Sequence, residues 1–279
     1  MSRVLLMSDI HYCHMTWHGQ DAKTIRGHMI DALNEEYRKE PYDMILMLGD
    51  YSLDHWGWRP YGCYINEGVS YTERFMKEFA AQIPCPFYMI PGNHEQYGNE
   101  DWKRITGFDR RMAVAYQDSL FIMLDNYSAD LNPTEHSDGT YTPSDVSYIR
   151  EQMAQYPHAK HVFLCAHEFL MEKESEEFKA LLREDDRIVA LLAGHTHLSN
   201  IIPLGKECND KLLLRTGEYS YSGDIKTSRR GWRELRFDKE GNIRTDYITP
   251  ACDYVIDGQT VHAECSKQDG TVLIEIKHE

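Results

Sequence analysis

The sequence predicts an α/β protein whose β-sheet is covered on both faces. Short, continuous apolar runs recur along the first two thirds of the chain, and longer polar stretches with helical spacing separate most of them. A run that is apolar at every position is typical of a strand buried on both faces, and helices between such strands usually provide the cover. Near residue 200 the pattern changes to short alternating segments. Together these observations indicate a layered α/β fold with an additional β-rich part.

The individual elements of the first part follow from these patterns in chain order. The predicted strands cover residues 3–8, 43–48, 86–90, 119–124, 161–166 and 188–193. The predicted helices cover about 21–39, 71–82, 143–155 and 174–184. The helix near residue 143 has clear start signals, because Thr142 can cap it, Pro143 suits its first turn and Asp145 favours its positive end.

The part of the chain after residue 200 alternates apolar and polar residues and is interrupted by Gly, Asp and Asn. Such alternation is typical of antiparallel strands joined by hairpins, and a turn is expected around Asp238–Gly241. The predicted strands of this part cover residues 211–215, 231–237, 243–249, 253–257 and 271–277.

Composition and charge exclude several classes of protein. The chain has 279 residues, of which 42% are hydrophobic and 27% charged, so a fibrous or wholly disordered protein is excluded. Thirty Lys and Arg stand against 45 Asp and Glu, which leaves a net charge of −15. This acidity disfavours general nucleic-acid binding and attachment to anionic membranes. No apolar window of about 18 residues occurs, so we expect no membrane span.

The seven cysteines are odd in number, scattered and without a C-x-x-C pair. This pattern argues against a disulfide framework and against a structural zinc site. The N-terminal segment also lacks the long apolar stretch and the small-residue cleavage site of a secretory signal. We therefore expect a cytoplasmic protein.

Polar side chains follow five of the predicted strands, at the point where each strand ends. These endings are Asp9-Ile10-His11, Gly49-Asp50, Gly92-Asn93-His94-Glu95, His167-Glu168 and Gly194-His195-Thr196-His197. In open α/β sheets, ligands bind just beyond the carboxyl ends of the strands. If these strands are neighbours, their ends bring aspartate, asparagine and histidine side chains together at one edge of the sheet.

The chemistry of these endings predicts a metal centre. Any one of them alone could be an ordinary turn or cap, but turns do not need this much imidazole. Grouping so many ionisable side chains is electrostatically costly unless a cation compensates, and imidazole with carboxylate is a transition-metal ligand set. The ligands exceed the needs of one tetrahedral site. Two ions about 3.5–4 Å apart, sharing one carboxylate, would use them all and could clamp a phosphoryl group.

The order of these motifs resembles that of the calcineurin-like metallophosphoesterase superfamily over about residues 3–250. The resemblance implies a four-layer sandwich of two mixed β-sheets flanked by helices, as in other metallo-dependent phosphatase-like folds. On this basis we expect residues 1–250 to form the phosphoesterase domain. Residues 251–279 are expected to be a C-terminal β extension packed on the same domain.

The resemblance also implies roles for individual residues. The first metal ion would be held by Asp9, His11, Asp50 and His197. The second would be held by Asp50, Asn93, His167 and His195, with Asp50 bridging the two ions. A metal-bridging hydroxide would attack phosphorus directly. His94 would be the general acid for the leaving oxygen, or would stabilise the phosphoryl charge. The ligand set suits Mn, Fe or Zn.

One departure from the family pattern concerns the residue that orients His94. Many members carry G-D-x-x-D, whose second Asp performs this task. Here Asp54 lies one residue further along. We expect that Asp54 either still reaches His94 or leaves this task to another group. Glu95 and Glu168 flank the ligands and are candidates to support them through hydrogen bonds.

The segment that follows Asp50 is unusually aromatic. Trp56, Trp58 and Tyr61 could line a substrate pocket, and a nucleobase could stack against them. The alternative is that these side chains only pack a long loop onto the core.

The sequence thus predicts a metal-dependent phosphoesterase that cleaves phosphomonoester or phosphodiester bonds of a small substrate. Two alternatives remain open: a non-catalytic metal-binding scaffold on the same fold, and a metal-dependent nuclease, which the acidity disfavours. Membrane partners are not expected, nucleic-acid partners are disfavoured, and the sequence carries no signal for an oligomeric state.

Overall fold

The computed structural model describes residues 2–17, 19–58, 62–220 and 229–275. Its strands are β1 Ser2–Met7, β2 Thr16–Trp17, β3 Gln20–Asp21, β4 Met44–Leu48, β5 Phe87–Ile90, β6 Met112–Tyr116, β7 Ser119–Met123, β8 His161–Cys165, β9 Ile188–Ala193, β10 Ile201–Pro203, β11 Leu212–Arg215, β12 Trp232–Phe237, β13 Ile243–Thr249, β14 Cys252–Ile256, β15 Gln259–Ala263 and β16 Ser266–Ile274. Its α-helices are α1 Ala22–Lys39, α2 Cys63–Glu67, α3 Tyr71–Glu78, α4 Asn99–Thr106, α5 Val146–Gln155 and α6 Glu176–Glu184.

Two six-stranded sheets form the centre of the described structure. The first has the strand order β16-β13-β12-β1-β4-β5 and the second has the order β10-β11-β9-β8-β7-β6. Both sheets are mixed. In the first, β4 is parallel to β1 while β12 is antiparallel to it, and in the second, β8 is parallel to β7 while β6 is antiparallel to it. Three hydrophobic clusters separate the layers: one between the sheets, one under α1 and α3, and one under α5 and α6. The predicted four-layer sandwich is confirmed.

Strand β1 shows why the apolar runs are continuous. Its side chains alternate, with Val4 and Leu6 in the cluster between the sheets and Leu5 and Met7 in the cluster under α1. Every position from Arg3 to Met7 is therefore buried, although the two faces meet different neighbours. The run pattern predicts burial on both faces, but it does not reveal that one of the two covers is a second sheet.

Most strands after residue 200 join one of the two large sheets, and only β14 and β15 form a separate antiparallel pair among the described residues. Strand β11 pairs parallel to β9 in the second sheet. Strands β12 and β13 form the predicted hairpin beside β1 in the first sheet. Strand β16 pairs antiparallel with β13, while β14 and β15 form a hairpin of their own. Because β16 continues the first sheet, we propose that the segment after residue 250 packs on the same domain.

Helix α5 starts later than its sequence signals suggest. Its first residue is Val146, and the side chain of Asp145 caps it by accepting a hydrogen bond of 3.0 Å from the backbone N–H of Tyr148. Thr142 lies in the preceding loop, where its own N–H donates to the carbonyl oxygen of Asn126. A short acidic side chain at this position satisfies a helix N–H at least as well as the threonine would have done.

Candidate metal centre

Five loops meet where the parallel strands of the two sheets end. The loops after β1 and β4 are joined by backbone hydrogen bonds from the N–H groups of Asp9 and His11 to the carbonyl oxygens of Gly49 and Asp50. The loops after β8 and β9 are joined by the N–H of Gly194, which donates to the carbonyl oxygen of His167 over 2.9 Å. Because β1, β4 and β5 are neighbours in one sheet and β8 and β9 are neighbours in the other, the ends of these strands lie close together, as predicted.

The backbone itself is unusual at this place. Five of the predicted ligands adopt left-handed φ angles between 51° and 67°: Asp9, His11, Asp50, His195 and His197. Residues other than glycine rarely occupy this region, and each such residue costs on the order of 1–3 kcal/mol. Strain of this kind is concentrated at functional sites, because the surrounding structure must hold the side chain in one required direction.

Glycine is required at two positions for different reasons. Gly49 has a φ angle of +94°, which places Asp50 at the sharp turn after β4. Gly92 has an ordinary φ angle, but a side chain there would overlap the carboxylate of Asp50. Gly49 thus permits a sharp turn, whereas Gly92 permits the close approach of the Asp50 side chain.

The first group of candidate ligands consists of Asp9, His11 and His197. Their donor atoms lie within 4.8 Å of one another. His197 Nε2 is 3.5 Å from Asp9 Oδ1, and His11 Nε2 is 3.9 Å from the same oxygen. That oxygen is buried and has no hydrogen-bond partner among the described residues. A buried, unpartnered carboxylate oxygen facing two imidazole nitrogens is what a cation site provides.

The second group consists of Asp50, His167 and His195, whose donor atoms also lie within 4.8 Å of one another. Asn93 joins them, because its Oδ1 is 3.0 Å from His167 Nε2 and 3.1 Å from His195 Nδ1. The Oδ2 atom of Asp50 is 3.2 Å from His167 Nε2 and 3.4 Å from His11 Nε2. Asp50 therefore faces both groups, as a bridging carboxylate must.

Each of the four histidines points one ring nitrogen inward and has an oxygen near the other. The outer nitrogen of His11 is 3.0 Å from Ser220 Oγ, and that of His167 is 2.7 Å from the carbonyl oxygen of Leu48. The outer nitrogen of His195 is 3.5 Å from Glu168 Oε2, and that of His197 is 3.6 Å from Glu218 Oε2. Metal-bound histidines almost always have such an outer partner, which fixes the ring and the tautomer. The donor set therefore fits a pair of cations.

Two of these outer partners, Glu218 and Ser220, escaped the sequence analysis. Both follow β11, which is parallel to β9 and ends at the same edge of the sheet. The alternating pattern of this segment predicts antiparallel strands, so it does not indicate a strand that ends at this edge. Glu168 was expected to support the ligands and does so beside His195, with a further hydrogen bond of 2.7 Å from the hydroxyl of Tyr127.

Glu95 holds the turn that carries Asp50. Its carboxylate accepts hydrogen bonds of 2.9 Å from the backbone N–H groups of Asp50, Ser52 and Gly92. These bonds tie the loops after β4 and β5 together at the point where Asp50 projects inward. Glu95 thus acts on the backbone and does not face the candidate ligands directly.

His94 lies at the border between the candidate ligands and an open cleft of about 490 Å³. Its imidazole is buried, and its Nε2 is 3.5 Å from Asp50 Oδ2. Trp56 is the aromatic side chain beside it, with ring centres 5.9 Å apart. The ring of His94 can therefore reach both a group held at the ligands and a molecule in the cleft.

The predicted substrate residues occupy different environments. Trp56 lines the cleft together with Tyr127 and Tyr141. Trp58 stacks on Trp56 at 6.5 Å and is 66% exposed, so it lies at the outer rim. Tyr61 lies outside the described residues.

Asp54 has partners other than the one expected. Its buried carboxylate accepts hydrogen bonds from the backbone N–H groups of Tyr71 and Thr72 at 2.8 and 2.9 Å, at the start of α3. The hydroxyl of Tyr97 donates to it over 2.6 Å. None of the contacts described for Asp54 reaches the ring of His94. We propose that Asp54 stabilises the fold by fixing the start of α3.

This assignment predicts a stability defect for Asp54→Ala. The substitution leaves the two helix N–H groups and the Tyr97 hydroxyl without their acceptor, so the free energy of unfolding should fall by about 1–3 kcal/mol. Urea denaturation followed by circular dichroism measures the change. If the stability of the variant is unchanged and its turnover is lost, Asp54 acts in catalysis and not in stabilising the fold.

Comparison with known proteins agrees with this geometry. The family model described as calcineurin-like phosphoesterase matches residues 2–199. The chain belongs to this family. It is a metal-dependent phosphoester hydrolase, and its His and Asp clusters indicate a dinuclear metal centre. No curated protein sequence matches the chain.

Solved structures share the fold of this phosphoesterase at low sequence identity. A dimetal phosphatase from Danio rerio has a TM-score of 0.62 at 10% identity, with 97% of this chain and 99% of that chain covered. A purple acid phosphatase from yellow lupin (Lupinus luteus) seeds has a TM-score of 0.55 at 15% identity, with 95% and 53% covered. The anchor protein GAP50 of the Plasmodium inner membrane complex has a TM-score of 0.52 at 13% identity, with 97% and 89% covered.

Other features of the phosphoesterase bear on the remaining predictions. All seven cysteines are free thiols. Among the described residues, no helix combines the length and the apolarity that crossing a bilayer requires. The cytoplasmic location stays a prediction.

The charges at the centre of the phosphoesterase depend strongly on one another. Burial alone would lower the pKa of His167, but the charge of Asp50 and its hydrogen bond to the ring, together with the charge of Asp9 and the hydrogen bond to the Leu48 carbonyl, raise this pKa to about 10. Burial alone would raise the pKa of Asp50, but His167 and His94 hold it well below its usual range. Burial lowers the pKa of His11 to about 4. Without a cation, protonated His167 is thus the group that compensates Asp50.

Cation binding should therefore release a proton from His167. A histidine binds a metal only as neutral imidazole, so a ring that is protonated below about pH 10 must lose its proton when the ion arrives. The affinity for the cation should rise with pH, and at about pH 9 the unmodified protein should release about one proton more per chain than His167→Gln does. Titration calorimetry in two buffers with different ionisation enthalpies counts this proton. The absence of proton release, or equal release from His167→Gln, would contradict the assignment.

Proposed function

We propose that this protein hydrolyses phosphomonoester or phosphodiester bonds of a small substrate at the centre described above. Two divalent or trivalent ions, of Mn, Fe or Zn, would be held by two sets of residues that share Asp50. The first set is Asp9, His11, Asp50 and His197, and the second is Asp50, Asn93, His167 and His195. The observation that supports this proposal best is that Asp50 Oδ2 lies within 3.5 Å of ring nitrogens from His11, His94 and His167.

The residues around this centre support hydrolysis. When bound, such ions supply Lewis-acid polarisation of phosphoryl oxygens and make a nearby water more acidic. The neutral amide of Asn93 keeps the local negative charge low, so the site can accept a phosphate although the whole chain carries a net charge of −15. His94 faces the same space through Nε2 and can donate a proton to the oxygen of the leaving group.

The cleft favours a small substrate. Its volume of about 490 Å³ is within the range typical of small-molecule sites. Trp56, Tyr127 and Tyr141 provide aromatic surface for the organic part of the substrate, while the charged residues of the walls are Asp138, Glu168 and Lys173. Two carboxylates against one ammonium group leave the walls with a small excess of negative charge, which disfavours long polyanions and agrees with the prediction that nucleic-acid partners are disfavoured.

A metal-supplemented assay tests this proposal. The protein is stripped with a chelator, loaded separately with Mn²⁺, Fe²⁺ or Zn²⁺, and assayed with p-nitrophenyl phosphate and with bis(p-nitrophenyl) phosphate. We expect turnover of at least one ester that disappears on chelation and returns on reloading. Two bound ions per chain by elemental analysis without any turnover would favour the metal-binding scaffold. Cleavage of DNA alone at low salt would favour the nuclease.

A further inference from the structure

Like the four candidate histidine ligands, His94 points one ring nitrogen inward, but the group that holds its other nitrogen has not been assigned. Its Nε2 faces Asp50 at 3.5 Å. The ring edge that carries Nδ1 faces the loop between β7 and α5. There the nearest carboxylate oxygen is Oδ1 of Asp138, at 3.9 Å from Nδ1. Asp54, which the family pattern suggested for this task, is engaged at the start of α3 instead.

We propose that Asp138 is the positioning residue of His94, whose Nδ1–H donates to the Asp138 carboxylate when substrate occupies the cleft. This inference rests on the proposed function. A carboxylate on Nδ1 fixes the tautomer that carries a proton on that atom, directs Nε2 at the leaving oxygen and stabilises the imidazolium form. The distance of 3.9 Å exceeds a hydrogen bond, and such catalytic contacts commonly tighten only when substrate is bound.

The backbone next to Asp138 is fixed relative to His94 by two independent contacts. The side-chain amide of Gln96 donates to the carbonyl oxygens of Asn93 and Ser137, over 2.7 and 3.0 Å. The N–H of Ser137 donates to the carbonyl oxygen of His55 over 3.3 Å. The carboxylate therefore stands on a segment that is tied to the same loop as His94, although its side chain remains 53% exposed to the cleft.

Asp138 also connects His94 to the aromatic wall of the cleft. Its Oδ1 accepts a hydrogen bond of 2.9 Å from the backbone N–H of Gly57, between Trp56 and Trp58. A side chain at Gly57 would collide with the Asp138 carboxylate, so glycine permits this approach. The carboxylate of Asp138 thus connects His94 with the segment that carries Trp56 and Trp58.

A competing contact must be separated from this one. The amide nitrogen of Asn93 lies 3.4 Å from the same Nδ1 atom. An amide N–H can only donate to an unprotonated Nδ1, whereas Asp138 requires a protonated one. Removing the negative charge of Asp138 should therefore impair His94 if Asp138 is its partner, and should leave His94 unimpaired if Asn93 is.

The test compares Asp138→Asn with Asp138→Ala and with Asp130→Asn, which changes an exposed aspartate on the same loop. Asparagine keeps an acceptor for Gly57 but loses the charge. Phenyl phosphate needs protonation of its leaving oxygen, whereas p-nitrophenyl phosphate needs it far less. We expect Asp138→Asn to lower kcat for phenyl phosphate about 10- to 100-fold and kcat for p-nitrophenyl phosphate only about twofold. Metal content and melting temperature should not change.

A second readout is a double-mutant cycle. Once His94 is replaced by Gln, Asp138 has no imidazole to position, so adding Asp138→Asn should not lower kcat for phenyl phosphate any further. Equal losses for both phosphate esters, a change in KM alone, or additive effects in the cycle would overturn the inference, as would an Asp138→Asn variant that behaves like Asp130→Asn. Absence of metal-dependent turnover in the unmodified protein would overturn the proposed function, and this inference with it.

Discussion

Replacing Asp50 with Asn should abolish the dinuclear centre and lower kcat/KM for phosphate esters by at least about 1000-fold. Asp50 is buried, its Oδ2 faces nitrogens of both ligand groups, and its backbone is held by Glu95 in a left-handed conformation that asparagine also tolerates. The substitution therefore removes the shared negative charge with little change of shape. Among the described residues, Asp50 provides the carboxylate that faces both groups of ligands, and the substitution removes it.

The measurements are metal content by elemental analysis, kcat/KM for p-nitrophenyl phosphate, and the thermal unfolding curve. Asp109→Asn is the matched control, because Asp109 is exposed and pairs only with Lys103 at 2.8 Å among the contacts described for it. We expect the control to keep both ions and full turnover. An Asp50→Asn protein that still binds two ions would contradict the bridging role.

Replacing His94 with Gln should lower kcat about 100- to 10,000-fold for esters with poor leaving groups. The ring of His94 lies between Asp50 and Trp56, and glutamine supplies no group that can donate a proton and regain it. The loss should be much smaller for p-nitrophenyl phosphate, because its leaving group departs as a stable anion. Metal content should stay at two ions per chain, since His94 is not one of the proposed ligands.

His158→Gln is the matched control for this prediction, because His158 is exposed in the segment between α5 and β8. Steady-state kinetics over a series of phenyl phosphates with different leaving groups gives the result. A uniform loss across the series would assign His94 to stabilisation of the phosphoryl charge. An unchanged kcat would exclude His94 from catalysis.

The ligand positions could be predicted because each is adjacent to a strand that the sequence reveals. The strands before Asp9, Asp50, Asn93, His167 and His195 are apolar at nearly every position, which identifies both the strand and its end. In parallel strands, the end fixes which edge of the sheet the next side chain reaches. A resemblance to a known family then supplied the role of each residue.

The supporting residues could not be predicted because their positions depend on the pairing of distant strands. Glu218 reaches His197 only because β11 lies parallel to β9, and the alternating pattern of that segment indicated an antiparallel partner. Asp138 reaches His94 from a loop without regular structure, which carries no periodic signal. Asp54 resembled the expected orienting residue by its position, but one additional residue brings it to the N–H groups at the start of α3.

The central claim is that two cations share Asp50, and anomalous X-ray diffraction from crystals soaked in Mn²⁺ tests it most directly. Two anomalous peaks should appear roughly 3.5–4 Å apart, one on each side of the Asp50 carboxylate. One peak should lie against Asp9, His11 and His197, and the other against Asn93, His167 and His195. A single peak, or peaks away from Asp50, would contradict the account.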